Sequence, residues 1–246
     1  TSGNFCGYLH PVNRRDYYTL YFAAVFDQPF AETGTWVDAE VTRGGQTATG
    51  GTTYGTDGYP AAGKGSGGWV KFAGDGEKMV TARVGISYVS VENARANLAG
   101  EQPSGRSFDD IRRKAHEAWT TALRRIEIEG GTGRQRRIFY TALYHSLLHM
   151  NLASDTNGDY RGFDGKVHRV RPPQQAQYAN FSGWDVYRAQ VQLVALLDPK
   201  VASDMGQSLL NQAAQNGGVW DRWTHNTGAT HVMEGDPSGP TNAAFV

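Results

Sequence analysis

The 246 residues predict an α+β protein in two successive parts, an antiparallel β-sandwich followed by stacked helix pairs. Two observations carry that prediction. Up to about residue 92 the apolar segments are rich in β-branched and aromatic residues and are separated by glycine-rich turns. After about residue 93 apolar residues recur at helical spacing behind capping residues. The length suits two domains, and a composition of 39% hydrophobic and 20% charged residues is that of a globular chain.

In chain order, the strands are read from "DYYTLYFAAVF" (16–26) and "KMVTARVGISYVSV" (78–91). Between them "TRGGQTATGGTTYGTDGYPAAGKGSGG" (42–68) is a loop too polar to pack a core of its own. This sandwich part covers 1–92. Linker helices are expected over 93–133, where Ser107 and Asp110 stand at capping-box spacing. Phe108, Ile111, Ala115, Ala118, Trp119 and Ala122 follow on one stripe. The rest, 134–246, reads as further helices. "RRIFYTALYHSLLHM" (136–150) places Phe139, Leu143 and Leu147 four apart, one helix is expected from Ser182 to about Leu197, and another from Pro199 to about Gln215. Asp198 caps the last, with Pro199 in its first turn. "DPSGPTNAAFV" starts one more helix, so the helical set reads as incomplete.

Charge excludes some function classes. Lys+Arg and Asp+Glu are 24 each, and a neutral chain is a poor match for nucleic acid or an anionic membrane surface. The pairs Arg112-Arg113, Arg124-Arg125 and Arg136-Arg137 read as solvated helix faces. No apolar run approaches the roughly 18 residues of a membrane span. Cys6 stands alone, which excludes an internal disulfide and a zinc cluster. No signal peptide is present, although the opening "TSGNFCGYLH" leaves room for one upstream.

Several motifs stop short of a site. "GYPAAGKG" (58–65) nearly makes a phosphate loop, but it ends on Gly65 and is followed by the strand-like "GWVKF" where phosphate binding needs a helix. "DTNGDYRGFDGK" (155–166) opens like a calcium loop with Asp155, Asn157 and Asp159. Its sixth and twelfth positions are Tyr160 and Lys166, which favours a turn-rich hairpin. His145 and His149 have the spacing of a two-His metal pair without the accompanying Glu, and read as core or rim histidines.

Two stretches hold more. In "YANFSGWDVYR" (178–188) Ser182 and Asp185 fit a capping box, with Trp184, Tyr187, Val191 and Val194 as the buried stripe. Equally, Asp185, Arg188 and Gln192 border that aromatic wall, and polar groups converging beside an apolar surface form small-molecule pockets. "GGVWDRWTHNTGATHVMEGDPSGP" (217–240) adds Trp220 and Trp223, His225 and His231, and several carboxylates in a loop longer than a helix connection needs. An indole beside a carboxylate suits a sugar ring, and together the two stretches point to a carbohydrate site.

The sequence resembles glycoside hydrolase family 92, the calcium-dependent exo-acting α-mannosidases. The blocks that carry the resemblance run the length of the chain: "YFAAVFDQPF", "VGISYVSVENARANL", "FYTALYHSLLHMNLASDTNGDYRGFDGKVH", "FSGWDVYRA" and "LLDPKVASDMGQSLLNQ". The resemblance implies the later part of an N-terminal β-sandwich joined through helices to the first half of an (α/α)6 barrel. It implies an inverting mechanism with one carboxylic acid and one carboxylate base, calcium on the mannose hydroxyls, a mannose-containing glycan as partner and a secreted or extracytoplasmic location. Trp184 and Asp185 match the family's sugar-contacting pair, supported by Arg188, and Trp223, His225 and Thr230 join them as substrate-binding residues. The family's general acid is a Glu directly before a Thr, four residues ahead of a Met; here those positions are Ala229, Thr230 and Met233. The family's Gly- and His-rich N-terminal signature is absent, and the base and calcium residues are expected further on than residue 246.

A missing acid is tolerable where the leaving group needs no proton. A phosphate qualifies, its second pKa being about 6, which makes mannose-1-phospho-6-mannose a substrate candidate. Arg222, His225, Asn226 and His231 are the residues expected to receive the phosphate. A module that binds mannose without cleaving it is the alternative.

Overall fold

The computed structural model describes residues 2–5 (backbone only), 18–49, 65–74 and 79–245. Most of the near-miss phosphate loop lies outside these residues. The "GWVKF" that follows it is a strand, as its β-propensity predicts.

Two three-stranded antiparallel sheets form the N-terminal part. In the first, β2 (Tyr18–Phe26) lies between β1 (Ser2–Phe5) and β6 (Ala82–Ser87). In the second, β3 (Phe30–Val37) lies between β4 (Glu40–Arg43) and β5 (Ser66–Phe72). Phe26, Phe30 and Phe72 meet where the sheets join, with ring centroids 5.4–5.6 Å apart. Strand β6 ends at Ser87, earlier than its apolar run predicts. The Ser87 hydroxyl accepts the N–H groups of Val89 and Ser90, and Ser90 then caps a helix, so the last valine of the run begins α1 (Val91–Glu101).

α1 lies on one face of the first sheet because β6 offers it a glycine. A Cβ on Gly85 would stand 2.2 Å from the Ala94 carbonyl oxygen and 2.7 Å from Leu98 Cβ. The opposite face carries Phe22, Val84 and Ile86, all exposed.

Helices α2 (Phe108–Leu123) and α3 (Gly133–Ser146) follow. The capping box of Ser107 and Asp110 is present, and Thr132 with Gln135 makes a second one. The apolar stripe of α2 is not buried, however, and Phe108 at its start is 69% exposed. Trp119 touches Tyr144 of α3 at 4.5 Å between centroids, and Ala118, Trp119 and Ala122 line a cavity of about 300 Å³ against Val194, Val201 and Met205.

Four short strands come next, β7 (Asn151–Leu152), β8 (Asp159–Arg161), β9 (Val167–Arg169) and β10 (Tyr178–Ala179), paired β8 with β9 and β7 with β10. The expected hairpin between helices is thus β8–β9. The helix expected from Ser182 to Leu197 is broken into α4 (Gly183–Val186) and α5 (Gln190–Leu197). Ala189 leaves the helical region (φ −153°, ψ −31°), and the Gln192 side-chain amide donates to the Tyr187 carbonyl the break leaves free. The single apolar stripe therefore does not form. Val186, Val191 and Val194 are buried, while Trp184 and Tyr187 are only half-buried.

α6 (Pro199–Gln215) starts as predicted, the Asp198 carboxylate accepting the Val201 N–H at 3.2 Å. The core packs α5 and α6 around Met150, Phe181, Val186, Val191, Val194, Ala202, Met205 and Leu209. On α6 the buried Asp204 carboxylate accepts the N–H groups of Gln175 and Ala176, which ties the chain before β10 to the helix. β11 (Thr224–His225), β12 (Gly228–Ala229) and α7 (Ser238–Ala243) complete the described chain.

Candidate functional site

The candidate site is built from the turn that enters α4 and the loop around β11–β12. Thr224, fully buried, joins them: its N–H donates to the Phe181 carbonyl at 3.0 Å, its hydroxyl accepts the Phe181 N–H at 3.0 Å, and it pairs with Ala229 across the hairpin. Ser182 bridges Trp223, and the Gly183 N–H reaches the Arg222 carbonyl at 2.9 Å. Trp184, Asp185 and Ala229 are therefore all within a few residues of one strand junction, although 44 positions separate Asp185 from Ala229 in sequence.

The Trp184 indole is held on two sides. Nε1 donates to the Glu234 carbonyl at 2.8 Å, and the ring lies on Gly235, where a Cβ would come within 2.6 Å of Cζ2. Tyr187 meets it edge-on at 5.7 Å. The Asp185 carboxylate is exposed and accepts a short hydrogen bond from the Ser182 hydroxyl. The expected capping box is consequently not made, because that hydroxyl is turned to the carboxylate and caps no N–H. Arg188 points its Nε to the Trp184 carbonyl at 3.4 Å, with its guanidinium 5.2 Å from the Tyr187 ring centre. It braces the aromatic pair, and with the helix broken Asp185, Arg188 and Gln192 do not share one helical stripe.

In the second segment Asp221, which sequence reasoning passed over, is the organising residue. Its carboxylate is almost wholly buried and accepts the N–H groups of Trp223 at 2.8 Å and His231 at 2.9 Å, and it faces the His231 ring at 3.3 Å. Thr230, expected to touch substrate, is buried beneath the hairpin. Its hydroxyl donates to the Trp223 carbonyl and lies 3.4 Å from Asp221, so it supports the loop from inside and presents no surface. His225 is half-buried, and burial pushes its pKa below the ordinary imidazole value; its ring meets Tyr18 at 5.8 Å. Arg222 is committed to the carbonyls of Gly235 (2.8 Å) and Val232 (3.5 Å).

The sheet part reaches this loop as well. The Tyr88 hydroxyl donates to Asn226 Oδ1 at 3.3 Å, and the Asn226 N–H donates to Asn180 Oδ1 at 2.7 Å. Burial, reinforced by neighbouring Tyr18, raises the Tyr88 pKa. Among the described residues the non-glycine positions with left-handed φ are Asp38, Asn180, Asn226, His231 and Met233, and all but Asp38 belong to this region.

The other motifs fall elsewhere. α3 ends at Ser146, so His145 and His149 do not share a helix, and His149 lines the cavity beside α2. The Asp155 carboxylate accepts the Ser87 hydroxyl and the Asn93 and Asn97 side-chain amides, each at 2.7 Å. Those donors take three of the carboxylate's roughly four acceptor sites. Among the described residues no group of three or more His, Cys, Asp or Glu is placed to hold a metal ion.

Fold and site together define a two-part α+β protein in which an aromatic–carboxylate pair, Trp184 and Asp185, stands beside the β11–β12 hairpin. The chain belongs to glycosyl hydrolase family 92: the model of that family's catalytic domain matches residues 93–246, and that of its N-terminal domain matches residues 1–87. Among solved structures it is similar to the family GH92 inverting mannosidase BT2199 from Bacteroides thetaiotaomicron VPI-5482, with 29% identity and a TM-score of 0.74 over 91% of this chain. It is also similar to the gh92 family glycosyl hydrolase ccman5, with 28% identity and a TM-score of 0.70 over 92% of this chain. The family GH92 alpha-mannosidase BT3965 from Bacteroides thetaiotaomicron shares the fold at 24% identity, with a TM-score of 0.72 over 88% of this chain. The chain spans about 28% of the length of each of these three. No curated protein matches it.

Proposed function

We propose that the protein carrying this chain is an exo-acting, inverting α-mannoside hydrolase of glycans, working in a secreted or extracytoplasmic setting, and that its helical part opens an (α/α)6 barrel. The observation that carries the reading is the junction at Thr224, which brings the Trp184-Asp185 pair of a family 92 chain to the hairpin bearing Ala229. Trp184, fixed by Glu234 and Gly235, offers an apolar face to the terminal mannose, and the exposed Asp185 carboxylate accepts from its hydroxyls. Calcium enters as the family's expected ion on the sugar; no described residue of this chain is set to hold it. No nucleic acid or membrane partner is proposed. No helix among the described residues is long and apolar enough to cross a membrane.

Ala229 narrows the leaving group. A methyl side chain donates no proton, and a leaving group stable as an anion needs none. In mannose-1-phospho-6-mannose the C1–O bond breaks and its electron pair stays on the phosphate oxygen. Water forms the new C1–O bond and its proton passes to a carboxylate base and then solvent. Mannose 6-phosphate leaves, needing no proton at neutral pH because its second pKa is about 6. Rates of the full-length protein with calcium on mannose-1-phospho-6-mannose, α-1,2-mannobiose and an aryl α-mannoside test this reading. Hydrolysis of the phosphodiester well ahead of the mannobiose is expected, and comparable rates would exclude the phosphate leaving group. Mannose binding with no release from any of the three would establish a lectin-like module instead.

A further inference from the structure

Four residues of the loop were candidates to meet the phosphate, and the structure separates them. Arg222 is spent on two backbone carbonyls, His225 is half-buried with its pKa pushed down, and Asn226 is held between Tyr88 and Asn180. His231 differs from all three. Its side chain is 62% exposed, whereas the carboxylate it faces, Asp221, is 2% exposed. Nδ1 lies 3.3 Å from Asp221 Oδ2, which turns Nε2 outward two residues after Ala229. His231 also holds a left-handed φ of 56°, unfavourable for a residue with a Cβ, and the Asp221 carboxylate secures it by taking the His231 N–H at 2.9 Å. One buried carboxylate thus fixes both the backbone and the ring. Asp236, in the same loop, is engaged on its other side: Oδ1 accepts the Ser238 N–H at 3.2 Å.

We propose that His231, oriented by the buried Asp221, is the residue that contacts the phosphate of the leaving group, and that it is a binding group with no proton to give to the scissile oxygen. This rests on the mannosyl-phosphate reading above. Nδ1 faces the Asp221 carboxylate at 3.3 Å, and Nε2, on the outer side of the ring, is the nitrogen that meets a non-bridging phosphate oxygen. Asp221 is a positioning residue that acts through the ring. The pair stands two residues beyond Ala229 in the same loop, where it supplies an anion receptor and no proton donor.

The test uses the full-length protein and compares kcat/KM for mannose-1-phospho-6-mannose with that for an aryl α-mannoside. In His231→Ala the ratio of phosphodiester to aryl rate is expected to fall roughly ten- to hundredfold, the range of a hydrogen bond to a charged group. Asp221→Asn should lower it in the same direction. Product inhibition by mannose 6-phosphate should weaken about tenfold or more in His231→Ala. His231→Gly, which suits the left-handed φ, separates loss of the ring from disturbance of the loop and should give the same ratio. A ratio that stays within about twofold of wild type in both His231 variants overturns the proposal, because a purely structural role depresses both substrates together. A fall in the mannobiose rate larger than that in the phosphodiester rate also overturns it and makes His231 the proton donor. Wild type that leaves the phosphodiester intact refutes the underlying reading itself, an outcome distinct from the variant results.

Discussion

Asn97 of α1 donates its side-chain amide to Asp155 Oδ1 at 2.7 Å, while its own Oδ1 accepts the N–H and the hydroxyl of Thr156, both at 2.9 Å. The same amide group also reaches the Ile86 carbonyl at 2.8 Å, so one side chain ties the end of strand β6 to the chain just before the β8–β9 hairpin. Ser87 and Asn93 add their own bonds to Asp155. Asp155→Ala leaves the buried Ser87 hydroxyl without its acceptor, while the Asn93 and Asn97 amides keep Asp159 and the Ile86 carbonyl, and a loss of about 1–3 kcal/mol, the cost of one unsatisfied buried group, is expected. Asp155→Asn should lose less, since it keeps one acceptor oxygen. Urea denaturation of both variants measures the difference, and an unchanged midpoint for the alanine variant would show that the clamp adds nothing to stability.

Gly235 is the seat of the Trp184 indole. Gly235→Ala puts a Cβ 2.6 Å from Cζ2 at a position whose φ is 80°, so the ring must move. The expected outcome is a shifted tryptophan emission and a fall of about tenfold or more in kcat/KM for mannosides, in line with the sensitivity of catalysis to a misplacement of about 1 Å. Wild-type kinetics with a shifted emission would mean that the indole does not touch the sugar.

Ala229→Glu restores a carboxylic acid beside Thr230. General acid assistance is worth ~10² to 10⁴-fold, so the rate on α-1,2-mannobiose relative to mannose-1-phospho-6-mannose should rise by about that much. The phosphodiester should also slow in absolute terms, because a carboxylate then meets the phosphate charge at close range. If the ratio does not move, the hairpin does not present residue 229 to the leaving group.

His225 makes stability pH-dependent in a defined direction. Burial disfavours its charged form, so its folded pKa lies below the 6.5 of the unfolded chain. The unfolded state therefore takes up protons first as pH falls below about 6.5, and the stability present above that value is lost progressively down to the folded pKa. The pH dependence of stability in this window should be weaker in His225→Gln, and NMR titration of the His225 ring should give a value under 6.5. A ring that titrates at or above 6.5 contradicts the burial seen here.

Much of this architecture is legible in the sequence, for identifiable reasons. Ser107 with Asp110, and Asp198 with Pro199, act locally, so their caps are read directly and recur in the structure. The strands at Tyr18–Phe26 and Ser66–Phe72 follow from β-branched and aromatic content. What escapes are features that depend on residues distant in sequence. The break at Ala189 opposes a continuous helical pattern, and Asp221 looks like any loop carboxylate until Trp223, Thr230 and His231 close around it. Trp184 and Asp185 were singled out for their chemistry. That Trp184 rests on Gly235 is tertiary information that no local pattern encodes, whereas the Ser182–Asp185 pair is local and only its form differs from the expected cap.

The clamp at Asp155 also shapes the chain's connectivity. The residues between Asn97 and Asp155, with α2 and α3 among them, form an excursion whose two ends are hydrogen-bonded together at its base. Arg125 fastens the far side of that excursion to Asp198 at 2.7 Å. The turn at Gly130 and Gly131, both exposed and both left-handed, is a site where a protease would find the chain open. A single cut there would yield two polypeptides that stay together in native buffer and part only in denaturant, so this molecule keeps its sheet unit and its helical unit joined without relying on the covalent thread between them.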